Sequence, residues 1–212
     1  MTTNKEILIL DPGNAFGLER RTNPFINDSM TMLDQYDLAK TDLSSIQALI
    51  IPEFVDQRFL AKHKGLIKQF LNDQKVIIFC GHLYIDWLPG ASHFIPKTIN
   101  HYTDYALTIL KDQGIFAGVN PDDMTYNKGV SGFFARGHHP IPADAEVLVT
   151  LPNNEPVTYI DRKTTKGTIL VHAGKDLIWY YKQNKTTDRI SEQLLQWIHL
   201  EIQALHQGSK NA

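Results

Sequence analysis

The chain has 212 residues and a mass of 24.1 kDa, with 42% hydrophobic, 21% charged and 10% aromatic residues, which supports a packed core and excludes an intrinsically disordered chain. Twenty-one Lys and Arg against 23 Asp and Glu leave a net charge of −2, so bulk electrostatics provide no drive toward nucleic acid or an anionic membrane. The single cysteine, Cys80, excludes an intrachain disulfide and a four-cysteine zinc site, and suits a reducing compartment.

Residues 5–11 hold a nearly continuous apolar run, Ile7-Leu8-Ile9-Leu10, that stops at Pro12-Gly13-Asn14. That is the pattern of a strand buried on both faces and followed by a turn. The run is shorter than the roughly 7–15 apolar residues of a signal peptide. No stretch approaches the roughly 20 residues of a membrane span, so a cytoplasmic location and no membrane partner are expected. Two further runs, Ala48-Leu49-Ile50-Ile51 before Pro52 and Val76-Ile77-Ile78-Phe79 before Cys80-Gly81, read as buried strands. Between them Phe59, Leu60, His63, Leu66, Ile67, Phe70 and Leu71 recur at three- and four-residue steps behind an N-cap candidate, Asp56, which predicts one helix. Residues 48–80 therefore read as a βαβ unit of a parallel α/β fold.

The second half opens with a candidate strand over 105–110 and a stretch containing Gly129, Gly132 and Gly137. Strands are predicted over 146–151, 156–161 and 167–173, and the connector Leu151-Pro-Asn-Asn-Glu-Pro156 has hairpin chemistry that makes the first two antiparallel. A helix starting near Thr187-Asp188 carries Ile190, Leu194, Ile198, Ile202 and Leu205 on one stripe, and the tail from Gln207 is expected to fray. No repeat, low-complexity tract or linker divides the chain, so one domain over 1–212 is expected, with an ordered core of about 5–206. The fold class is α/β: a flavodoxin-like three-layer sandwich with a mostly parallel central sheet and an antiparallel hairpin in its second half.

Open parallel sheets bind ligands beyond the carboxyl ends of their strands. Those ends carry Asp11 and Asn14, then Glu53, then Cys80, Gly81 and His82, and finally His172 with Gly174. Cys80 is the sharpest candidate, because a thiol beside glycine at a strand end can sit near free backbone N–H groups that stabilise a thiolate or an oxyanion. His172 is the best-placed base, with His82 as a local competitor; the competing reading of Cys80 is a small buried hydrophobe. Arg136-Gly137-His138-His139 can grip a carboxylate or phosphate, or pair with a surface carboxylate. Arg20-Arg21 reads as a solvated pair and Trp87 as packing. His82 and Asp86 would share a helical face if 82–86 were helical, and His138 or His172 could complete a three-ligand metal site, but no HExxH-type motif supports one. No GxGxxG follows the first strand, and no P-loop or GxSxG string occurs, which lowers nicotinamide enzymes, P-loop NTPases and serine hydrolases. No cofactor is expected.

With Cys80 after the third predicted strand and His172 at the end of the last strand before a C-terminal helix, the order of elements resembles the class I glutamine amidotransferase-like superfamily, which includes the DJ-1/PfpI and ThuA-like proteins. The resemblance spans residues 5–206 and rests on topology. The amidotransferases place their nucleophile in a GxCxG elbow, where this chain reads Ile78-Phe79-Cys80-Gly81-His82. Their histidine is followed two residues later by Glu, where His172 is followed by Ala173-Gly174. Both departures argue against glutamine hydrolysis itself. The DJ-1-like members imply a carboxylate near the first strand, for which Asp11 or Glu19 is the counterpart. The string 167–174 is similar to the last strand of the ThuA-like members, which lack the nucleophilic cysteine.

Three readings follow. The first is a cysteine-dependent hydrolase or amidase on a small metabolite, with Cys80 as nucleophile, His172 as base and the Gly81 N–H in the oxyanion hole. Asp11, Asn14, Glu53, His82, Arg136 and His138 would bind substrate. The second is a non-catalytic module of the same fold that binds a small molecule or a partner, and the third a metal-dependent hydrolase using the loop histidines. A small-molecule ligand is expected, and self-association into a homo-oligomer is left open.

Overall fold

The computed structural model describes residues 5–127, 129–180 and 182–210. Eight strands form the central sheet: β1 (Ile7–Asp11), β2 (Thr31–Asp34), β3 (Ala48–Ile51), β4 (Val76–Cys80), β5 (Thr108–Ile109), β6 (Glu146–Leu151), β7 (Glu155–Asp161) and β8 (Thr168–His172). Their spatial order is β2-β1-β3-β4-β8-β7-β6-β5. The first five in that order are parallel, and β7, β6 and β5 continue the sheet antiparallel. The fold is therefore α/β, mostly parallel, and flavodoxin-like. Two short antiparallel ladders, Ile95–Pro96 with Gly137–His138 and Tyr126–Asn127 with Val130–Ser131, lie outside it.

The apolar runs are continuous because β1, β3, β4 and β8 are buried on both faces. Successive side chains point to opposite faces, so each run is shared between two cores. Ile7, Ile9, Ala48, Ile50, Val76, Ile78, Cys80 and Leu170 meet Ile190, Leu194, Trp197 and Ile198 of the C-terminal helix α6 (Ile190–Lys210). Leu8, Leu10, Leu49, Ile51, Ile77, Phe79, Ile169 and Val171 meet Leu60, Ile67, Phe70 and Leu71 of α3 (Gln57–Lys62) and α4 (Lys64–Asn72). On the α6 side, α1 (Ala15–Thr22) and α2 (Pro24–Ser29) connect β1 to β2, and Ile26 joins that core. The remaining short helix is α5 (Pro121–Thr125).

The hairpin between β6 and β7 turns through Asn153 and Asn154, both at positive φ (70° and 58°), a conformation asparagine tolerates better than most residues. Four expectations change. The helix predicted across 57–71 is interrupted at His63, whose φ of −107° and ψ of 19° leave the helical region, although Asp56 caps it as expected through Arg58 N and Phe59 N. The apolar stripe continues across the break because both pieces pack on the same core. The candidate strand over 105–110 shrinks to Thr108–Ile109, since only these residues reach β6 at the sheet edge. A 3-10 turn over Thr186–Arg189 precedes α6, with the Asp188 carboxylate accepting from Gln183 N and Asn184 N. The tail from Gln207 is helical to Lys210, and the expected fraying at 211–212 lies outside the described residues.

Candidate functional site

The carboxyl ends of β3, β4 and β8 open onto a cleft of about 530 Å³. Pro52 ends β3 and presents Glu53 and Phe54, the latter at a φ of 67°. Gly81 turns the chain out of β4 at a φ of +124°; a Cβ there would also press on Glu53 Cα at 3.1 Å, so both backbone conformation and space select glycine. Beyond β8, Gly174 admits the loop from the other half of the chain. Ala135 bridges to it, and a Cβ on Gly174 would collide with the Phe134 carbonyl. That loop brings Phe133 and Arg136 to the cleft opposite Glu53, while Lys175 follows Gly174 into it. Gln57 fixes the remaining wall: its Nε2 donates to the His82 carbonyl at 2.7 Å and its Oε1 accepts from Tyr84 N at 2.8 Å.

Cys80, His172 and Gly81 are adjacent through their main chains. Cys80 and His172 are register partners on neighbouring parallel strands, and the Gly81 N–H donates to the His172 carbonyl at 2.9 Å. That bond uses the donor an oxyanion would need. The Gly81 carbonyl is also engaged, by His139 Nε2 at 3.1 Å. Strand alternation turns the Cys80 side chain into the α6-side core at 0% exposure, and neither Cys80 nor His172 lines the cleft. Burial, then Asp176, pushes the thiol well above its ordinary range. His172 is equally buried, and its Nδ1 lies 2.8 Å from Thr158 Oγ1. Its Nε2 makes no hydrogen bond of good geometry, although the nearby Phe134 carbonyl favours the charged ring; burial outweighs this and holds the imidazole down to about 3. No hydrogen bond joins the thiol to either His172 nitrogen among the described residues.

The groups that do meet in the cleft are Glu53, His82, Arg136 and Lys175, with Gly81 at its base and the exposed rings of Phe54, Tyr84 and Phe133 around it. Burial, reinforced by Asp176 and opposed by Lys175 and Arg20, raises the Glu53 carboxyl to about 7. At neutral pH it can therefore donate as well as accept. The Lys175 ammonium is shifted down by burial against the pull of Glu53, and its Nζ sits 2.9 Å from the Trp179 ring centroid. His82 stacks on Phe94 with centroids 3.7 Å apart, and burial followed by Arg136 lowers its pKa. Arg136 Nε donates to the Gly132 carbonyl, and no carboxylate pairs with the guanidinium among the described residues.

The other expected residues lie apart from the cleft lining. Asp11 accepts from Gly13 N and pairs with Arg21, Asn14 caps α1 through Gly17 N, and His138 faces Glu155 at 3.7 Å. Residues 82–86 are not helical; Asp86 instead pairs with His93 at 2.8 Å, so the His82–Asp86 face does not form. Among the described residues no group of three His, Cys, Asp or Glu side chains is placed to hold a metal ion, and no helix is long and apolar enough to cross a membrane. Trp87 packs edge-on against Phe79 at 3% exposure. Arg20, expected as a solvated residue, is 4% exposed and bound to Asp176 at 2.8 Å. Phe54 and Lys175 follow closely on expected strand ends, so the placement of ligands beyond those ends points to them as well. Gln57 and Phe133 had no local signal.

No family model and no curated protein matches the sequence. Among solved structures, a GMP synthase-type protein from Thermoplasma acidophilum is similar with a TM-score of 0.59, covering 96% of this chain and 100% of that one at 11% identity. A glutamine amidotransferase from Thermotoga maritima is similar with a TM-score of 0.51, covering 98% and 86% at 14% identity. The likeness establishes a class I glutamine amidotransferase-like fold.

Proposed function

We propose that this chain is a small-molecule-binding module of the glutamine amidotransferase-like fold, and that its ligand occupies the cleft above β3, β4 and β8. The observation that carries this reading is the division of groups at the end of β4: the thiol faces the core, and the cleft receives Gly81. Hydrolysis through Cys80 would need a thiolate, a base in reach and a free oxyanion donor. The sealed thiol, the weakly basic His172 and the engaged Gly81 N–H all weigh against that route.

The cleft is suited to a small polar metabolite with an anionic group on a flat or apolar body. Arg136 and Lys175 supply cationic donors, and Phe54, Tyr84 and Phe133 supply ring surface. Glu53 adds a group that serves as donor or acceptor near neutral pH. The test is thermal stabilisation by a panel of small aromatic and aliphatic carboxylates and phosphates. A stabilising ligand should act equally on Cys80→Ala and lose its effect on Arg136→Ala and Lys175→Ala. Loss of ligand response in Cys80→Ala, or alkylation of Cys80 by iodoacetamide at pH 6–7 faster than a free model thiol, would overturn the reading and restore the hydrolase.

A further inference from the structure

Between the end of β3 and the Asp56 cap of α3 the chain turns through Glu53 and Phe54. The φ of 67° at Phe54 lies in the left-handed region, which turns normally give to glycine or asparagine. Every other non-glycine residue at positive φ among the described residues is Asn, Gln or Lys. Phe54 is the apolar exception, and its ring forms no hydrogen bond that could offset the crowding of its Cβ. A bulky residue stays in this conformation only where the surrounding structure imposes it. Here the turn is pinned at both ends. The Glu53 main chain lies against Gly81, where an added Cβ would meet Glu53 Cα at 3.1 Å, and Asp56 N donates to Gln35 Oε1 at 2.6 Å.

Backbone strain would favour glycine at position 54, and contact with water would favour a polar side chain, because Phe54 is 62% exposed. An aromatic ring meets neither preference, so the fold does not account for it. Its place in the molecule does. Phe54 lines the cleft with two other exposed rings, Tyr84 and Phe133. β3 and β8 flank β4 in the sheet, and Ala135 bridges to Gly174 just beyond β8. Phe54 therefore enters from one wall, and Phe133 and Arg136 enter from the other. Strand ends two spacings apart are about 10 Å from each other, a separation suited to a flat group held between side chains of the two walls.

We infer that the ligand of the cleft is a planar aromatic or heteroaromatic ring bearing a carboxylate or phosphate, and that Phe54 selects the flat ring over a saturated body of the same charge. The inference rests on the cleft being the ligand site. It narrows that ligand to one whose π face stacks on Phe54 while its anion meets the Arg136 guanidinium.

The full chain is titrated by calorimetry with 2-naphthoate, 2-naphthyl phosphate and decahydro-2-naphthoate, the saturated acid. The better of the two flat probes identifies the head group, and it should bind about tenfold tighter than the saturated acid. Phe54→Gly should weaken the flat probes by about tenfold and the saturated acid far less, whereas Phe54→Tyr should keep the parent affinity. Without ligand, Phe54→Gly should unfold about 2 °C above the parent, because the strain is relieved. Phe54→Asn, which also tolerates the left-handed conformation, should show the same loss of affinity without a loss of stability. Saturation by none of the probes, or binding that survives Arg136→Ala, would overturn the reading of the cleft and this inference with it. Where the probes bind and need Arg136, equal affinity for flat and saturated acids would overturn this inference alone. So would unchanged affinity in Phe54→Gly, or a lowered unfolding temperature in both Phe54→Gly and Phe54→Asn.

Discussion

Two polar regions meet at the carboxyl end of the sheet, and they differ in what burial has done to them. Below the cleft, Cys80 and His172 sit on adjacent strands at 0% exposure, and their acid–base chemistry is suppressed in opposite senses: the thiol is pushed up and the imidazole down. In the cleft wall, Glu53, Arg136 and Lys175 keep access to solvent, and Glu53 titrates near neutrality. One residue of strand phase separates the two outcomes: Cys80 ends β4 facing the core, whereas Gly81 faces the cleft. A reactive residue type at a strand end is therefore insufficient; the pleat decides whether its side chain meets substrate or core.

This contrast can be broken most severely with acid. His139 and His172 are buried and titrate at about 4 and about 3, below the ordinary imidazole value of 6.5. Because the folded values are depressed, the unfolded chain binds more protons between those values and 6.5, so stability is full above 6.5 and is lost as pH falls. Each imidazole contributes up to about 1.4 kcal/mol per pH unit across its window, giving a loss on the order of 5 kcal/mol by pH 4 from the two rings, which Glu53, titrating at about 7 in the opposite sense, offsets only in part. Denaturant midpoints measured from pH 7 to pH 4 check this; a flat profile would contradict it.

Removing Asp176 comes next, since it leaves Arg20 buried without its anion. Asp176→Ala should cost roughly 3–5 kcal/mol by denaturant unfolding, while the paired change with Arg20→Met should recover much of it. Cys80→Ala should cost about 1 kcal/mol as a lost buried contact and leave the stabilisation by a cleft ligand unchanged. Glu53→Gln works in the other direction. The folded carboxyl titrates at about 7 against 4.5 ordinarily, so its contribution is present below 4.5 and is lost as pH rises through 7. The variant should match the parent at pH 4 and be more stable at pH 8 by thermal unfolding. The smallest effect on stability is expected from Arg136→Ala, within about 0.5 kcal/mol, because the side chain is exposed. Its effect should appear in ligand response instead.

Much of the fold was legible in the sequence. Three apolar runs bounded by Pro or Gly predicted strands buried on both faces, and Asp56 capped its helix where expected. Of the expected ligand-binding residues, Glu53, His82 and Arg136 do line the cleft with Gly81, whereas Asp11, Asn14 and His138 are engaged elsewhere. Strand ends read from the sequence located positions but not the directions of side chains. Contacts between distant segments left no local trace either, such as Gln57 holding the loop after β4 and Phe133 arriving opposite Glu53.

By itself, the sequence determined the strands β1, β3, β4, β6, β7 and β8 and the apolar stripes of α3, α4 and α6, because hydrophobic period and turn chemistry are local properties. Tertiary structure alone decided that Arg20 would be buried against Asp176, 156 residues away, that the Gly81 N–H would be taken by the His172 carbonyl, and that the 132–136 loop would close the cleft. Those pairings depend on how separate loops close over the same sheet end, and the burial that results sets the charge state of each group.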